Sequence, residues 1–242
     1  MSDTVIFIQA RMGSHRLPGK VLRSCINKKS ILEVIIDRLN KVKNIKQVYV
    51  LTSNKKDDLK IIDECNKLGV NVFSGDEKNV LKRFYDLAKT LKKINIIVRI
   101  CADSPLHDPD IIDQGIQYFK KNKFDYVSNC FPRTFPYGTA VEVFYKSVLK
   151  TVYQNVVEDN EKEHVTPYII NNPDKFRLGN FSNDIDLSHH RWTLDYLEDY
   201  KMISAIYKEL YPNNPNFKMM DVVKLLEERP DIYEITAHLP RD

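Results

Sequence analysis

The N-terminal part of the chain alternates short apolar runs with longer stretches of helical period, and that alternation restricts the fold more than any other feature. The runs are TVIFI (4–8), VYVLT (48–52), VNVF (70–73), NIIVRI (95–100), DYVSN (125–129) and AVEVF (140–144). Strands separated by helix-length segments read as βα units, which build an α/β fold with a mostly parallel sheet flanked by helices. Between the first two runs, SILE offers Ser30 as an N-cap and Glu33 as the returning half of a capping box. Val80, Leu81, Phe84, Leu87, Ala88 and Leu91 recur with helical period inside 77–91 and give one buried face. DPDIIDQGIQYF opens a further helix, with Asp108 as cap and Pro109 at the first helical position. The segment 129–142, NCFPRTFPYGTAVE, crowds turn formers with aromatics and reads as an ordered loop or hairpin. The last third, with EKEHVTPYII and LDYLEDYKMISAIYKEL, reads as largely helical.

A chain of 242 residues, 43% apolar and 29% charged, can bury one sizeable core, so a single domain over 1–242 is expected, with room for a small acceptor or dimerisation lobe around 129–180. The net charge of +4 comes from scattered cations, which suits a local anionic ligand rather than nucleic acid. Cys25, Cys65, Cys101 and Cys130 lie far apart, without metal or disulfide spacing, and point to a reducing cytoplasm. The sequence shows no leader pattern and no apolar stretch of membrane-spanning length, so neither export nor membrane insertion is expected.

The stretch VIFIQARMGSHRLPGKVL leaves its strand and runs directly into Arg11, Arg16 and Lys20, spaced by Gly13, Ser14, Pro18 and Gly19. A loop after the first strand of such a sheet sits at its carboxyl edge, where glycines let backbone N–H groups approach a polyanion. Cations added to that loop favour a di- or triphosphate. A P-loop does not fit, because five residues separate Gly13 from Gly19 and Val21 stands in place of the Mg²⁺-binding hydroxyl. The G-x-G-x-x-G fingerprint of dinucleotide folds is missing as well.

A second cluster, CADSPLHDPD, follows the run NIIVRI and places Asp103 just past a strand end. A carboxylate there is costly unless it is solvated or holds a cation, and Mg²⁺ takes one or two carboxylates with phosphates supplying the remaining oxygens. Asp103 could equally start a turn with Ser104 and Pro105. In the third cluster, HHRWTLDYLED, Asp195 reads either as a metal ligand or as a helix N-cap.

IFIQARMGSHRLPGKVL, RICADSPLHDPDIID, EKEHVTPYI and RWTLDYLED resemble, in order and approximate spacing, the cytidylyltransferase family, which includes CMP-KDO and CMP-sialic acid synthetases; the branch it looks most like is the spore-coat-polysaccharide type. The resemblance implies a Rossmann-like nucleotide-diphospho-sugar transferase fold, CTP as substrate, Mg²⁺ as cofactor and a homodimer. It implies that Arg11, Ser14, Arg16 and Lys20 hold the triphosphate, with Ala10, Met12, Gly13 and Ala102 against the nucleotide. Asp103 and Asp195 would be the metal ligands, and Arg11, Arg16, Lys20 and Asp103 would carry the catalysis. The chain departs from the family's Thr-Gly-Asp with Cys101-Ala102-Asp103, and from Asp-Thr-Pro-Glu-Asp with Asp195-Tyr196-Leu197-Glu198-Asp199.

The expected reaction is transfer of CMP to an acidic sugar with release of pyrophosphate. A sugar-1-phosphate, a small phosphorylated or phosphonate acceptor, and a non-catalytic nucleotide-binding subunit remain open as alternatives. Thr52, Ser53 and Arg83 are candidates to read the base, although the first two also suit a helix-start turn and Arg83 a solvated helix edge. Asn129, Arg133, Glu142, His164 and Arg191 are the acceptor candidates, and either arginine could grip an acid group in bidentate fashion.

Overall fold

β1 (Thr4–Gln9) lies between β4 (Gln47–Ser53) and β6 (Ile96–Cys101) in a seven-stranded sheet, reached after a small hairpin of β2 (Ser24–Ile26) and β3 (Lys29–Ser30). The computed structural model describes residues 2–240. β5 (Asn71–Gly75) flanks β4 at one edge, and β6 is followed across the sheet by β8 (Glu142–Tyr145), β7 (Tyr126–Ser128) and β9 (Leu178–Asn180). β8 alone runs antiparallel to its neighbours. The chain leaves β1 toward β4 on one side and β6 on the other, which makes the carboxyl end of β1 the place where strand order reverses and where such sheets bind ligands.

β1 is apolar in nearly every position because both its faces are covered. Ile6, Ile8, Val50 and Ile100 pack against α1 (Ile31–Leu39), and, after α2 (Leu59–Lys67) and α3 (Val80–Thr90), against α4 (Pro109–Lys121). Phe7, Leu51, Ile97 and Phe144 face Phe84 and Leu87 of α3 and Val148 and Val152 of α5 (Lys146–Asn155). The rest of the chain supplies α6 (Asp159–His164), α7 (Pro167–Ile170), α8 (Leu197–Leu210), α9 (Met219–Glu228) and α10 (Pro230–Glu234). No helix among the described residues is long and apolar enough to cross a membrane.

The helix starts follow their capping chemistry with one difference. Ser30 Oγ accepts the Glu33 N–H at 3.0 Å, but Glu33 pairs with Lys29 at 2.9 Å instead of returning to Ser30, whose hydroxyl donates to Glu64 at 2.8 Å. Asp108 caps α4 by accepting the Asp110 N–H at 3.0 Å, and its second oxygen accepts the Met219 N–H at 2.8 Å, joining the starts of α4 and α9. The segment 129–142 is a loop with a single antiparallel bridge, Cys130 to Arg133, and β8 and β9, which fall within 129–180, belong to the main sheet.

Candidate active site

The loop after β1 is fixed from outside itself. Asp58 accepts the Met12 N–H at 2.7 Å with one oxygen and the Ser53 hydroxyl with the other, while the Ser14 and Gly19 amides both donate to the Met12 carbonyl. Gly19 takes the left-handed conformation, φ 68°, that turns the chain into the short helical turn carrying Lys20. The loop borders a crevice of about 560 Å³, lined on that side by Ala10, Arg11, Ser14, Arg16 and Lys20 and on the other by Ala102, Asp103 and Asp195.

Lys20 is almost wholly buried, and its ammonium donates to Asp195 Oδ1 at 2.9 Å, to the Leu194 carbonyl at 2.6 Å and to Asp103 Oδ2 at 3.4 Å. The two carboxylates, 92 positions apart in sequence, therefore share one cation and cannot be farther apart than the two Lys20 contacts laid end to end. Arg16 reaches Asp195 Oδ2 at 3.0 Å and lies over the Tyr196 ring at 4.8 Å. Arg11 pairs with Glu163 of α6 at 3.1 Å, across the mouth of the crevice. Asp195 is not the cap of α8. Tyr196 holds that position, and Asp199, in the first turn of the helix, accepts with Oδ2 the N–H groups of both Asp195 and Tyr196 at 2.8 and 2.9 Å.

The segment bearing Asp195 is held by two further contacts. The Arg191 guanidinium grips Asp199 in a buried bidentate pair at 2.9 and 3.0 Å. Gly138, φ 96°, lies so close to this segment that a Cβ there would meet the Thr193 nitrogen at 2.3 Å, which only glycine avoids.

Arg83 lines the crevice from α3, nearly inaccessible to solvent, and its Nε and Nη1 have no hydrogen-bond partner among the described residues. Burial depresses its pKa, but a guanidinium stays charged, so the crevice holds a desolvated cation without a bound acceptor. Arg133 and His164 also line the crevice, and Arg133 has no carboxylate partner among the described residues, resting instead over Tyr137 at 5.1 Å. Met12, Gly13 and Ser53 border an adjoining depression of about 620 Å³ rather than the crevice.

Four further expected residues do not reach the crevice either. Thr52 is fully enclosed in β4. Asn129 spends its amide within its own loop, donating to the Thr139 carbonyl at 3.0 Å and accepting the Val141 N–H at 2.9 Å. Arg191 is consumed by Asp199. Glu142 is buried opposite Arg99 on the neighbouring strand, pairs with Arg99 Nη1, and accepts hydroxyls from Tyr126 at 2.6 Å and Thr166 at 2.7 Å. Burial works against the Arg99 cation, yet the Glu142 carboxylate more than offsets it and leaves the pKa raised.

The sequence expectations omitted Arg99, Gln9, Asp58 and Glu163. A cation interrupting the apolar run NIIVRI was the available signal for Arg99. The segment EKEHVTPYII is also broken where helix was expected. Val165 adopts φ 71°, ψ −51°, and the Thr166 N–H donates to the His164 carbonyl at 2.8 Å, forming a γ-turn of the strained sign. A β-branched residue in that region costs on the order of 1–3 kcal/mol. The turn separates His164, on the crevice wall, from Thr166, on Glu142. Cys101 borders the crevice as well, but burial pushes its thiol up to about 12, so it is no nucleophile at neutral pH.

An open α/β sheet with a cation-rich loop at its switch point, faced by paired carboxylates, defines a nucleotide-handling transferase. A family model described as cytidylyltransferase matches residues 5–229, and the chain belongs to that family. It is 32% identical to the spore coat polysaccharide biosynthesis protein SpsF of Bacillus subtilis over 96% of this chain and 97% of that one. It is 35% identical to a 3-deoxy-manno-octulosonate cytidylyltransferase of Hydrogenovibrio crunogenus, over about half of each chain (50% and 49%). The structure of a cytidylyltransferase from Leptospira borgpetersenii superposes with a TM-score of 0.90 at 34% identity, covering 96% of this chain and 97% of the other.

Proposed function

We propose that the protein transfers CMP from CTP to a hydroxyl of an acidic sugar and releases pyrophosphate. The observation that carries this reading is the convergence of Asp103 and Asp195 on Lys20 beside the cationic loop. The relative named for cytidylyl transfer to 3-deoxy-manno-octulosonate supports the acceptor class.

Two carboxylates with no third metal-ligating side chain grouped beside them among the described residues fit Mg²⁺, which completes its shell from phosphates and water. When bound by Asp103 and Asp195, the ion supplies positive charge to the phosphate oxygens. Lys20 and Arg16 neutralise the charge that grows on the departing pyrophosphate, and the loop amides hold the triphosphate in place. The acceptor oxygen bonds to the α-phosphorus and gives up its proton to solvent as the bond from that phosphorus to the bridging oxygen breaks, its electron pair leaving with pyrophosphate, with no protein nucleophile needed. Arg83, lacking an acceptor of its own, is suited to an oxygen of the nucleotide, and Arg133 to the acid group of the acceptor.

The test is pyrophosphate release from each of the four nucleoside triphosphates with a panel of acidic sugars and Mg²⁺. CTP alone should support turnover at neutral pH. Equal use of all four, or no release with any acid, would exclude the reading.

A further inference from the structure

Arg99 and Gln9 form a donor surface in the crevice that none of the phosphate-handling residues uses. Arg99 Nε donates to Gln9 Oε1 at 3.1 Å and Nη1 to Glu142, which fixes the guanidinium in one orientation. Nη2 finds no partner among the described residues, and Arg99 lines the crevice. The Glu142 carboxylate is in turn saturated by Tyr126 and Thr166, so the pair is rigid and close to neutral in net charge.

Position and charge decide what this edge receives. Arg99 lies inside β6, two residues before its end at Cys101, whereas Asp103 stands beyond that end in the following turn, so Arg99 is set back along the strand from the carboxylates proposed to face the phosphates. Sheet order puts β6 and β8 on the opposite side of β1 from β4 and β5, hence away from Ser53, and the Thr166 hydroxyl bond to Glu142 brings the chain just after His164 against the pair. Arg133 keeps an uncompensated charge for an acid group, whereas Arg99 has already spent its charge on Glu142. A neutralised guanidinium with free N–H groups suits an uncharged oxygen, because a second anion would meet the repulsion of Glu142.

We infer that Arg99 binds a hydroxyl or acyl carbonyl on the part of the acceptor remote from the transferred phosphoryl group, so that the enzyme selects acids with a long oxygenated tail. This rests on the CMP-transfer reading above. The test compares CTP-dependent CMP transfer to 3-deoxy-manno-octulosonate, an eight-carbon acid, with transfer to 3-deoxy-pentulosonate, which keeps the acid head and lacks the tail. Arg99→Lys keeps the charge and removes the open edge, and Arg99→Met combined with Glu142→Gln removes both charges, so that neither variant leaves a lone buried ion.

In both variants the KM for the eight-carbon acid should rise about tenfold to a hundredfold, the range for losing a hydrogen bond from a charged donor. The KM for CTP and the kinetics with the five-carbon acid should stay within about twofold of wild type. Equal losses with both acids, an equal rise in the KM for CTP, or no change at all would overturn the inference while leaving CMP transfer standing. Wild-type enzyme that uses other acids of the panel but not the eight-carbon acid would overturn the inference alone, and wild-type enzyme that releases pyrophosphate from CTP with no acid of the panel would overturn both.

Discussion

Lys20 and Arg16 hold the same carboxylate from very different surroundings, and their loss should differ accordingly. Arg16 is half exposed and shares Asp195 with solvent. Lys20 is buried and serves two carboxylates and a backbone carbonyl. Arg16→Ala should raise the KM for CTP and lower kcat by an effect on the order of 1.5–3 kcal/mol, and Lys20→Ala should exceed it, because it also leaves three acceptors without their donor. Steady-state kinetics on the two variants check the order, and equal or reversed effects would contradict it. A second residue acts on stability. Burial, reinforced by the neighbouring Arg38 guanidinium, pushes His107 down to about 3, so the folded protein keeps this imidazole neutral. The unfolded chain takes up the proton below about pH 6.5, and stability is therefore lost as pH falls from there toward the folded value. Between pH 6.5 and 5 this group should remove about 2 kcal/mol. Urea denaturation at the two pH values should show that much less acid sensitivity in His107→Leu; equal sensitivity would contradict the assignment.

Six of the seven strands of the sheet were legible as largely apolar runs, most clearly the central parallel ones, which are covered on both faces. β9 (Leu178–Asn180), a three-residue edge strand without such a run, was not legible. The β2–β3 hairpin was not legible. Its turn residues Asn27 and Lys28 both take positive φ, 50° and 66°, without the glycine that marks such turns. Polar side chains were legible as charges but not as partners. Glu142, Asn129 and Arg191 look like ligand-binding residues until the fold brings Arg99, Thr139 and Asp199 against them. The support of the loop after β1 was hidden for the same reason, since Asp58 acts on Met12 from 46 residues away. Asp58→Ala should destabilise the protein by about 1–3 kcal/mol and raise the KM for CTP, because the Met12 amide and the Ser53 hydroxyl lose their acceptor. Asp57→Ala, at the exposed neighbouring position, should do neither. Matching effects in thermal melts and kinetics of the two variants would show that the loop does not depend on Asp58.

At the scale of the whole molecule, one topological fact assembles the site: the strand order reverses at β1, so the loop after β1 and the segment after β6 face one another, and the Trp192–Asp195 segment closes over both. The Leu194 N–H donates to the Asp103 carbonyl at 2.8 Å, which binds the two aspartate segments directly. The central claim is that these segments present one pair of carboxylates to a CTP-bound divalent ion. The most direct measurement is pyrophosphate release from CTP and an acidic sugar, with and without Mg²⁺, by wild type and by Asp103→Asn and Asp195→Asn. The account predicts metal-dependent release by wild type, a loss of at least about a hundredfold in each variant, and partial recovery with Mn²⁺, while circular dichroism reports an unchanged fold. Release that persists in either folded variant, or that ignores the metal, would contradict it.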